Sequence, residues 1–275
     1  MEIKSSCLVI ADISGYTRFV MLHTTSLLHA ETIITDLLEA VIAQSEHPLT
    51  IAKLEGDAVF LYATVEGDQR MAARNVLKQV TEFFDAFRTK ERALIGCNTC
   101  GCPACRSIDK LHLKAVLHYG DVVIKQVGQF LELAGENVIL VHRLLKNSIT
   151  IKNYILMTDT YYQLSGGLEG ERVESRTENA EGMGEVSVKV YYLREKIPLP
   201  APAPARIPEP GTESTILYER MNDYAYRRLS GLEPRRKFSS LPDTKLTWLS
   251  RVDYAIGRLI PQIIATLSRV FAKKR

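Results

Sequence analysis

The chain has 275 residues with 46% hydrophobic and 24% charged content, an ordinary composition for a protein with one hydrophobic core and an appendage. No uncharged run approaches the roughly 20 residues that cross a bilayer, which excludes a spanning helix. The net charge of +3 arises in the C-terminal part. The main part carries no basic stretch interleaved with aromatic residues, which excludes a nucleic-acid interface. No apolar run precedes Cys7, so we expect no signal peptide and a cytoplasmic protein.

Two acidic turns stand out in the first 60 residues. The apolar strand Leu8 to Ala11 delivers Asp12 into a turn of small residues that opens a helix. A second acid, Asp57, follows Gly56, which can take the positive φ of a tight turn between two short strands. If the strands are neighbours, Asp12 and Asp57 converge on one cation. The alternative is that Asp12 caps a helix and Asp57 is only a turn residue.

Backbone amides at the start of the helix after Asp12 are expected to face an anion, because a helix N-terminus carries free N–H groups and a partial positive charge. These amides belong to Ile13, Ser14, Gly15, Tyr16 and Thr17. Together with the two acids, they predict a metal and phosphate site.

Hydrophobic periodicity predicts the remaining elements. In chain order these are helices at 27–44 and 69–88, strands at 113–118, 122–127 and 130–133, a helix at 136–147, a strand at 149–157, a helix at 159–164 and a closing strand at 185–192. Gly120 and Asp121 are predicted to form a hairpin turn. Helices on one face of a mostly antiparallel sheet predict an α+β sandwich.

Four of the five cysteines lie within residues 97–105. Their clustering and the odd total argue against a disulfide framework. Two Cys-x-x-Cys pairs offer the four thiolates that tetrahedral zinc prefers. The ligands would be Cys97, Cys100, Cys102 and Cys105. Only one residue separates the pairs, which leaves open zinc shared across a dimer, an iron–sulfur cluster, reactive thiols or an incidental loop.

Six of the eleven prolines fall between residues 198 and 210, which predicts an extended linker at 197–210. It would separate a domain at 1–196 from a helical tail at 211–275, which holds 13 Lys and Arg against 6 Asp and Glu. An apolar stripe runs from Leu249 to Val270. Three roles are open for the tail: docking on its own domain or a partner, autoinhibition, or peripheral contact with the inner face of the membrane.

Four ordered motifs resemble those of class III nucleotidyl cyclase domains over roughly residues 5–195. They are Ala11-Asp12-Ile13-Ser14-Gly15-Tyr16-Thr17-Arg18-Phe19, Lys53-x-x-Gly56-Asp57-Ala58, His118-Tyr119-Gly120-Asp121-Val122-Val123, and Gly135-x-x-Val138 running to Arg143. The cysteine cluster and residues 142–147 resemble more closely a bacterial cyclase-like family of unassigned function. The resemblance implies the ferredoxin-like cyclase sandwich.

The resemblance also implies a homodimer whose chains pair head to tail around a purine nucleoside triphosphate. Asp12 and Asp57 of one chain would hold two Mg²⁺ or Mn²⁺ ions. Lys53 and Glu132 of the other chain would read the purine, with a preference for adenine. Arg143 would neutralise charge on the phosphate in the transition state.

Two positions depart from the cyclase pattern. The asparagine that orients the ribose is Ile139 here, and the lysine that grips the terminal phosphates is Met183. Loss of one preorganised donor costs about 10² to 10³ in rate. Asn147, one turn beyond Arg143, either substitutes or is only a polar helix end. The sequence therefore predicts either an adenylyl cyclase-like enzyme of low activity or a degenerate nucleotide-binding or dimeric signalling module.

Overall fold

A computed structural model of the chain describes residues 1–16, 19, 24–96, 104–193, 248 and 252. The first half holds β1 (Glu2–Ser14), α1 (Thr24–Ile42), β2 (Thr50–Glu55), β3 (Ala58–Thr64), α2 (Gln69–Gly96) and a 3₁₀ helix (Cys105–Lys110). The second half holds β4 (His112–Val127), β5 (Phe130–Ala134), α3 (Glu136–Leu144), β6 (Tyr154–Thr158), α4 (Asp159–Ser165), β7 (Val173–Ala180) and β8 (Gly184–Tyr192).

The eight strands form one sheet in the order β2-β3-β1-β4-β6-β8-β7, with β5 paired to β4. The β4–β6 pair is parallel, and the other pairs among the described strands are antiparallel. This mixed but mainly antiparallel sheet with helices confirms the predicted α+β sandwich.

Alternation along β1 divides its side chains between two apolar layers. Leu8 and Ile10 belong to a buried cluster that includes Val141 and Leu144 of α3. Cys7 points to the other side, where it contacts Tyr161 of α4, and the Tyr161 hydroxyl donates to the carbonyl of Ala73 in α2 at 2.8 Å. The short α3 therefore covers the opposite face of the sheet from these residues of α2 and α4. The α+β architecture is as predicted, but the helices lie on both faces of the sheet and not on one.

The chain divides into two compact units. One contains Met1–Ser14, Leu38–Phe87 and the chain from His112 through the last strand, and therefore holds the whole sheet. The other contains the described residues of Gly15–Leu37 and Arg88–Leu111. In that unit, the Tyr16 hydroxyl donates to the carboxylate of Glu31 at 2.9 Å.

The predicted hairpin turn at Gly120 is wrong, because β4 runs unbroken through it. A Cβ at Gly120 would lie 2.4 Å from the side-chain carbon of Asn137. The glycine is therefore required by the close approach of α3 rather than by a turn. The strand β7 was not predicted, because its sequence is mostly polar and its position at the sheet edge leaves much of it exposed.

The predicted linker and basic tail lie outside the described residues, apart from Trp248 and Val252, whose side chains are exposed. No helix in the described part of the chain combines the length and hydropathy needed to cross a membrane.

Candidate active site

Asp12 lies near the end of β1, in the middle of the sheet. It stands opposite Ala58 of β3 on one side and Lys114 of β4 on the other. Its side chain is buried, and the Lys114 ammonium lies 3.1 Å from its Oδ2 atom. A buried carboxylate requires a counter-charge. Lys114 supplies it.

Burial raises the pKa of Asp12 above its ordinary value, and the negative charge of Glu55 acts in the same direction. The ion pair and hydrogen bond with Lys114 oppose the rise without cancelling it. The site thus disfavours unneutralised negative charge, which is the condition under which an added cation is favoured.

Asp57 lies in the turn between β2 and β3, beside the end of β1. Its carbonyl accepts a hydrogen bond from the Ile13 amide at 3.0 Å, and Gly56 takes the predicted positive φ of 71°. The structure therefore brings the backbones at the two acidic turns together, as the sequence predicted. Their role as metal ligands stays a prediction.

The same hydrogen bond corrects the predicted anion-binding amides. Because the Ile13 amide already donates to Asp57, it is not available to a phosphate. Ser14 ends β1, and Gly15, with φ of 98°, starts the next segment. Thr17 lies outside the described residues, so the remaining amides stay a prediction.

Lys53 and Glu55 lie on β2, opposite Phe60 and Ala58 of β3. Lys53 Nζ is 2.7 Å from the Oε1 atom of Glu55. His142 of α3 reaches the same oxygen, with its Nε2 atom at 3.2 Å. Burial by itself would raise the pKa of Glu55, but Lys53 and His142 outweigh it and hold that pKa below its ordinary value.

Arg143 follows His142 on α3, and its Nη1 atom donates to the Glu181 carboxylate in the turn between β7 and β8. The two residues that depart from the cyclase pattern flank this pair. Ile139 lies one turn earlier on α3 with 53% of its surface exposed, and Met183 lies in the Glu181 turn with 38% exposed. Neither contributes to the buried core, so a polar side chain could occupy either position.

Glu132 lies on β5, opposite Lys125 of β4, and is exposed. Asn147 is occupied elsewhere: its Nδ2 atom donates to the Leu144 carbonyl at 2.8 Å, and its amide exchanges hydrogen bonds with the Tyr154 hydroxyl. Asn147 therefore caps the C-terminus of α3. This favours the prediction that it is only a polar helix end over the prediction that it replaces the ribose-binding asparagine.

Cys105 begins the 3₁₀ helix and is buried. The other three cysteines of the loop, Cys97, Cys100 and Cys102, lie outside the described residues. The ligand set for zinc is therefore not tested by the structure.

Two comparisons of sequence place the chain among known proteins. A model of the family described as "Protein of unknown function (DUF2652)" matches residues 34–154. Uncharacterized protein Rv2561/Rv2562 of Mycobacterium tuberculosis (strain ATCC 25618 / H37Rv) is 34% identical over 160 residues, which cover 58% of this chain and 72% of the mycobacterial protein. The chain belongs to the same family as this mycobacterial protein.

Two solved structures of nucleotidyl cyclases have the same fold as this chain. The adenylyl cyclase CyaB from P. aeruginosa superposes with a TM-score of 0.55 at 16% identity, covering 71% of this chain and 97% of that one. The guanylate cyclase domain of RhGC from Catenaria anguillulae, in complex with GTP, gives a TM-score of 0.51 at 16% identity, covering 71% and 100%. This chain therefore has the fold of these nucleotidyl cyclase domains, and at this identity the likeness shows the fold alone.

The predicted metal ligands of this site are two carboxylates, those of Asp12 and Asp57. Among the residues that the structure describes, no group of three or more His, Cys, Asp or Glu side chains could enclose a metal. Mg²⁺ is usually held by one or two carboxylates together with substrate phosphates and waters. The predicted ligands Asp12 and Asp57 would supply two carboxylates, a donor set whose chemistry fits Mg²⁺ or Mn²⁺ bound with a polyphosphate.

Three residues of this site were not identified from the sequence. Lys114 is the one charged residue in the apolar stretch 113–117 of β4, which was the available signal. Glu55 lies inside the Lys-x-x-Gly-Asp motif, and His142 directly precedes Arg143. The sequence did not indicate a role for Glu55 or His142, because their contact joins segments 87 residues apart.

Proposed function

We propose that this protein binds a purine nucleoside triphosphate with Mg²⁺ or Mn²⁺ and converts it slowly to a 3′,5′-cyclic nucleotide and pyrophosphate. The observation that carries the proposal is the pairing of two acidic turns in a class III cyclase fold, where the Ile13 amide bonds to the carbonyl of Asp57 next to buried Asp12. Carboxylates at adjacent strand ends are suited to a metal-bound polyphosphate.

Each residue of the acidic half-site has a separate role in the proposal. Asp12 and Asp57 would hold two divalent ions, and Lys114 would lie beside them as a further positive charge. When bound, the ions lower the charge on the polyphosphate and activate the ribose 3′-oxygen.

The opposite half-site would come from a second copy of the chain, arranged head to tail. Lys53 would donate to an acceptor on the purine, and Glu132 would accept from an exocyclic amine. This pair favours adenine over guanine, and both side chains are exposed, with 52% of the Lys53 side chain accessible. Arg143 would neutralise charge on the phosphate in the transition state.

Slow turnover is expected because Ile139 and Met183 depart from the cyclase pattern. Ile139 cannot replace the hydrogen bonds of an amide to the ribose, and Met183 cannot pair with a phosphate. Each loss is worth about 10² to 10³ in rate. Nucleotide affinity would decline less than rate if the metal ions supply most of the charge neutralisation.

The test is incubation of the purified full chain with ATP or GTP and Mn²⁺, followed by chromatographic detection of cyclic product. Asp12→Asn and Asp57→Asn should each abolish metal-dependent ATP binding and product formation. Asp109→Asn, a change at an exposed acid in the 3₁₀ helix, should alter neither. Equal ATP affinity in all four proteins would refute the site.

A second candidate function is a nucleotide-binding or dimeric signalling module without turnover. The ion pair between Arg143 and Glu181 favours it, because this arginine is already engaged by an anionic side chain of its own chain. Metal-dependent ATP binding with no cyclic product, even after long incubation, would support the module over the enzyme.

We also propose structural zinc in the cysteine loop and a cytoplasmic location with peripheral membrane contact through the basic tail. About one zinc per chain, lost on Cys97→Ser with Cys100→Ser, would support the first of these. Flotation with anionic vesicles at low salt tests the second, and a full chain that stays at the bottom of the gradient would exclude it.

A further inference from the structure

The carboxylate of Glu55 joins two parts of the proposed site through one oxygen atom. Its Oε1 atom lies 2.7 Å from Lys53 Nζ and 3.2 Å from His142 Nε2. Lys53 belongs to β2, and His142 belongs to α3 next to Arg143. Glu55 itself is half-buried, with 25% of its side chain accessible, so its carboxylate is less free to move than an exposed one.

His142 is held on three sides. Its Nδ1 atom lies 2.8 Å from the Val138 carbonyl one turn earlier, and its ring meets the Phe60 ring edge-on at 4.9 Å between centroids. Both ring nitrogens face oxygen atoms that only accept hydrogen bonds, the carbonyl and the carboxylate. These three contacts fix the position of the ring, so His142 is a hydrogen-bonding anchor for Glu55.

The position of Glu55 in the sheet brings its carboxylate close to that of Asp12. Glu55 faces Ala58 across the β2–β3 pair, and Ala58 faces Asp12 across the next pair. Directly opposed residues share one face of a sheet, so two acids lie on one face with only the small Ala58 between them. Glu55 is paired with Lys53 and His142, whereas Asp12 is paired with Lys114.

We propose that Glu55, anchored by His142, is the positioning residue that holds the Lys53 ammonium for recognition of the purine base. This role rests on the proposed nucleotide site, where the Glu55–His142 pair would set the preference for one purine base. A lysine side chain carries about 2 kcal/mol of rotamer entropy in the free state. A carboxylate that restricts it in advance lowers the entropy lost on binding and confines the ammonium to one acceptor of the base.

The experiment is a double-mutant cycle on the full chain, read as the ratio of affinities for ATP and GTP with Mn²⁺. Glu55→Gln should lower this ratio by about 2- to 10-fold, the range for losing one ordered side chain. Lys53→Met should lower it at least as far. The double variant should match Lys53→Met alone, because Glu55 acts through Lys53. Glu82→Gln, which breaks the exposed Lys78–Glu82 pair of α2, is the matched control and should leave the ratio unchanged.

A second anchor variant keeps the test independent of one substitution. His142→Leu should also lower the ratio in wild type and have no further effect in the Lys53→Met background. Thermal unfolding of every variant identifies a fold defect. If Glu55→Gln is unfolded, Glu55→Asp replaces it, because the shorter carboxylate cannot reach both partners.

Three results would overturn the proposal. The first is an unchanged or higher ratio in Glu55→Gln, which would mean that Glu55 restrains Lys53 away from the base. The second is additive effects of Glu55→Gln and Lys53→Met, which would mean that Glu55 acts elsewhere. The third is a wild type that binds neither nucleotide, and only this third result also removes the proposed function.

Discussion

Arg143 and Glu181 form an ion pair that joins α3 to the turn between β7 and β8. The same turn contains Met183, where the cyclase pattern has a phosphate-binding lysine. Met183 therefore provides no positive charge for a phosphate. Two residues earlier, the Glu181 carboxylate pairs with Arg143, the arginine proposed to neutralise that phosphate. If Arg143 has the proposed role, a bound phosphate and Glu181 would compete for the same guanidinium.

Glu181→Gln should raise the affinity for ATP and Mn²⁺ by up to about fivefold. Both partners are largely exposed, with 40% and 78% of their side chains accessible, and exposed pairs contribute about 0 to 1 kcal/mol. Isothermal titration calorimetry measures the change. Glu185→Gln removes the same charge from an exposed position on β8 and should have a smaller effect. A reduced affinity in Glu181→Gln would show that the pair supports the site rather than competing with phosphate.

Lys114→Met should destabilise the apo protein by about 3 kcal/mol, because it leaves the buried Asp12 carboxylate without its 3.1 Å partner. Mn²⁺ should restore part of the loss, since a metal ion at Asp12 replaces the missing positive charge. Thermal unfolding with and without Mn²⁺ measures both effects. Lys114→Arg keeps the charge and serves as the control. If Mn²⁺ raises the melting temperature of wild type and Lys114→Met equally, Asp12 does not bind the ion.

Stability should fall at mildly acidic pH because of His118. Its Nδ1 atom lies 2.9 Å from the Thr158 hydroxyl, and its Nε2 atom lies 2.8 Å from Oδ1 of Asn137. The Asn137 amide donates to the Asp121 carbonyl, so its oxygen accepts from Nε2–H. Thr158 then donates to Nδ1, and the ring is neutral. Burial lowers the pKa of His118 below its ordinary value, and the bond with Asn137 opposes this only in part.

Because the folded state has the lower pKa, the unfolded chain binds more protons as the pH falls through about 6.5. The contribution of His118 to stability is therefore fully present above that pH and declines by up to about 1.4 kcal/mol for each further pH unit. The free energy of unfolding of wild type minus that of His118→Gln should decrease accordingly. His47→Gln, at an exposed position, is the control. A difference that does not vary with pH would contradict the prediction.

Ile139→Asn should raise formation of cyclic nucleotide by about tenfold, which corresponds to about 1.4 kcal/mol of transition-state stabilisation. One good hydrogen bond to the ribose can supply that amount. Ile139 is 53% exposed, so the change costs little packing, and Met183→Lys should add to the gain. Product is measured by chromatography after incubation with ATP and Mn²⁺. If the double variant binds ATP and metal but makes no product, the nucleotide-binding module becomes the better account.

Local sequence determined the parts of the protein that depend on near neighbours in the chain. Gly56 and Asp57 indicated the tight turn between β2 and β3, and the β4 to α3 region was predicted within a few residues except at Gly120. The acidic turns were also visible, because a carboxylate after an apolar strand is a local pattern. The order and spacing of the four motifs that resemble class III cyclases were sufficient to predict that fold, which the structural comparisons confirm.

Tertiary structure decided which charges meet. Lys114 pairs with Asp12 because β4 lies beside β1 in a particular register, and a shift of one residue would place them on opposite faces. Glu55 and His142 are 87 residues apart, and Arg143 and Glu181 are 38 apart. Gly120 likewise resembles a turn residue in the sequence, and only the packing of α3 against it shows why a glycine is required. Periodicity reports which side of an element is buried, whereas the partner of a buried or half-buried charge depends on the docking of distant elements.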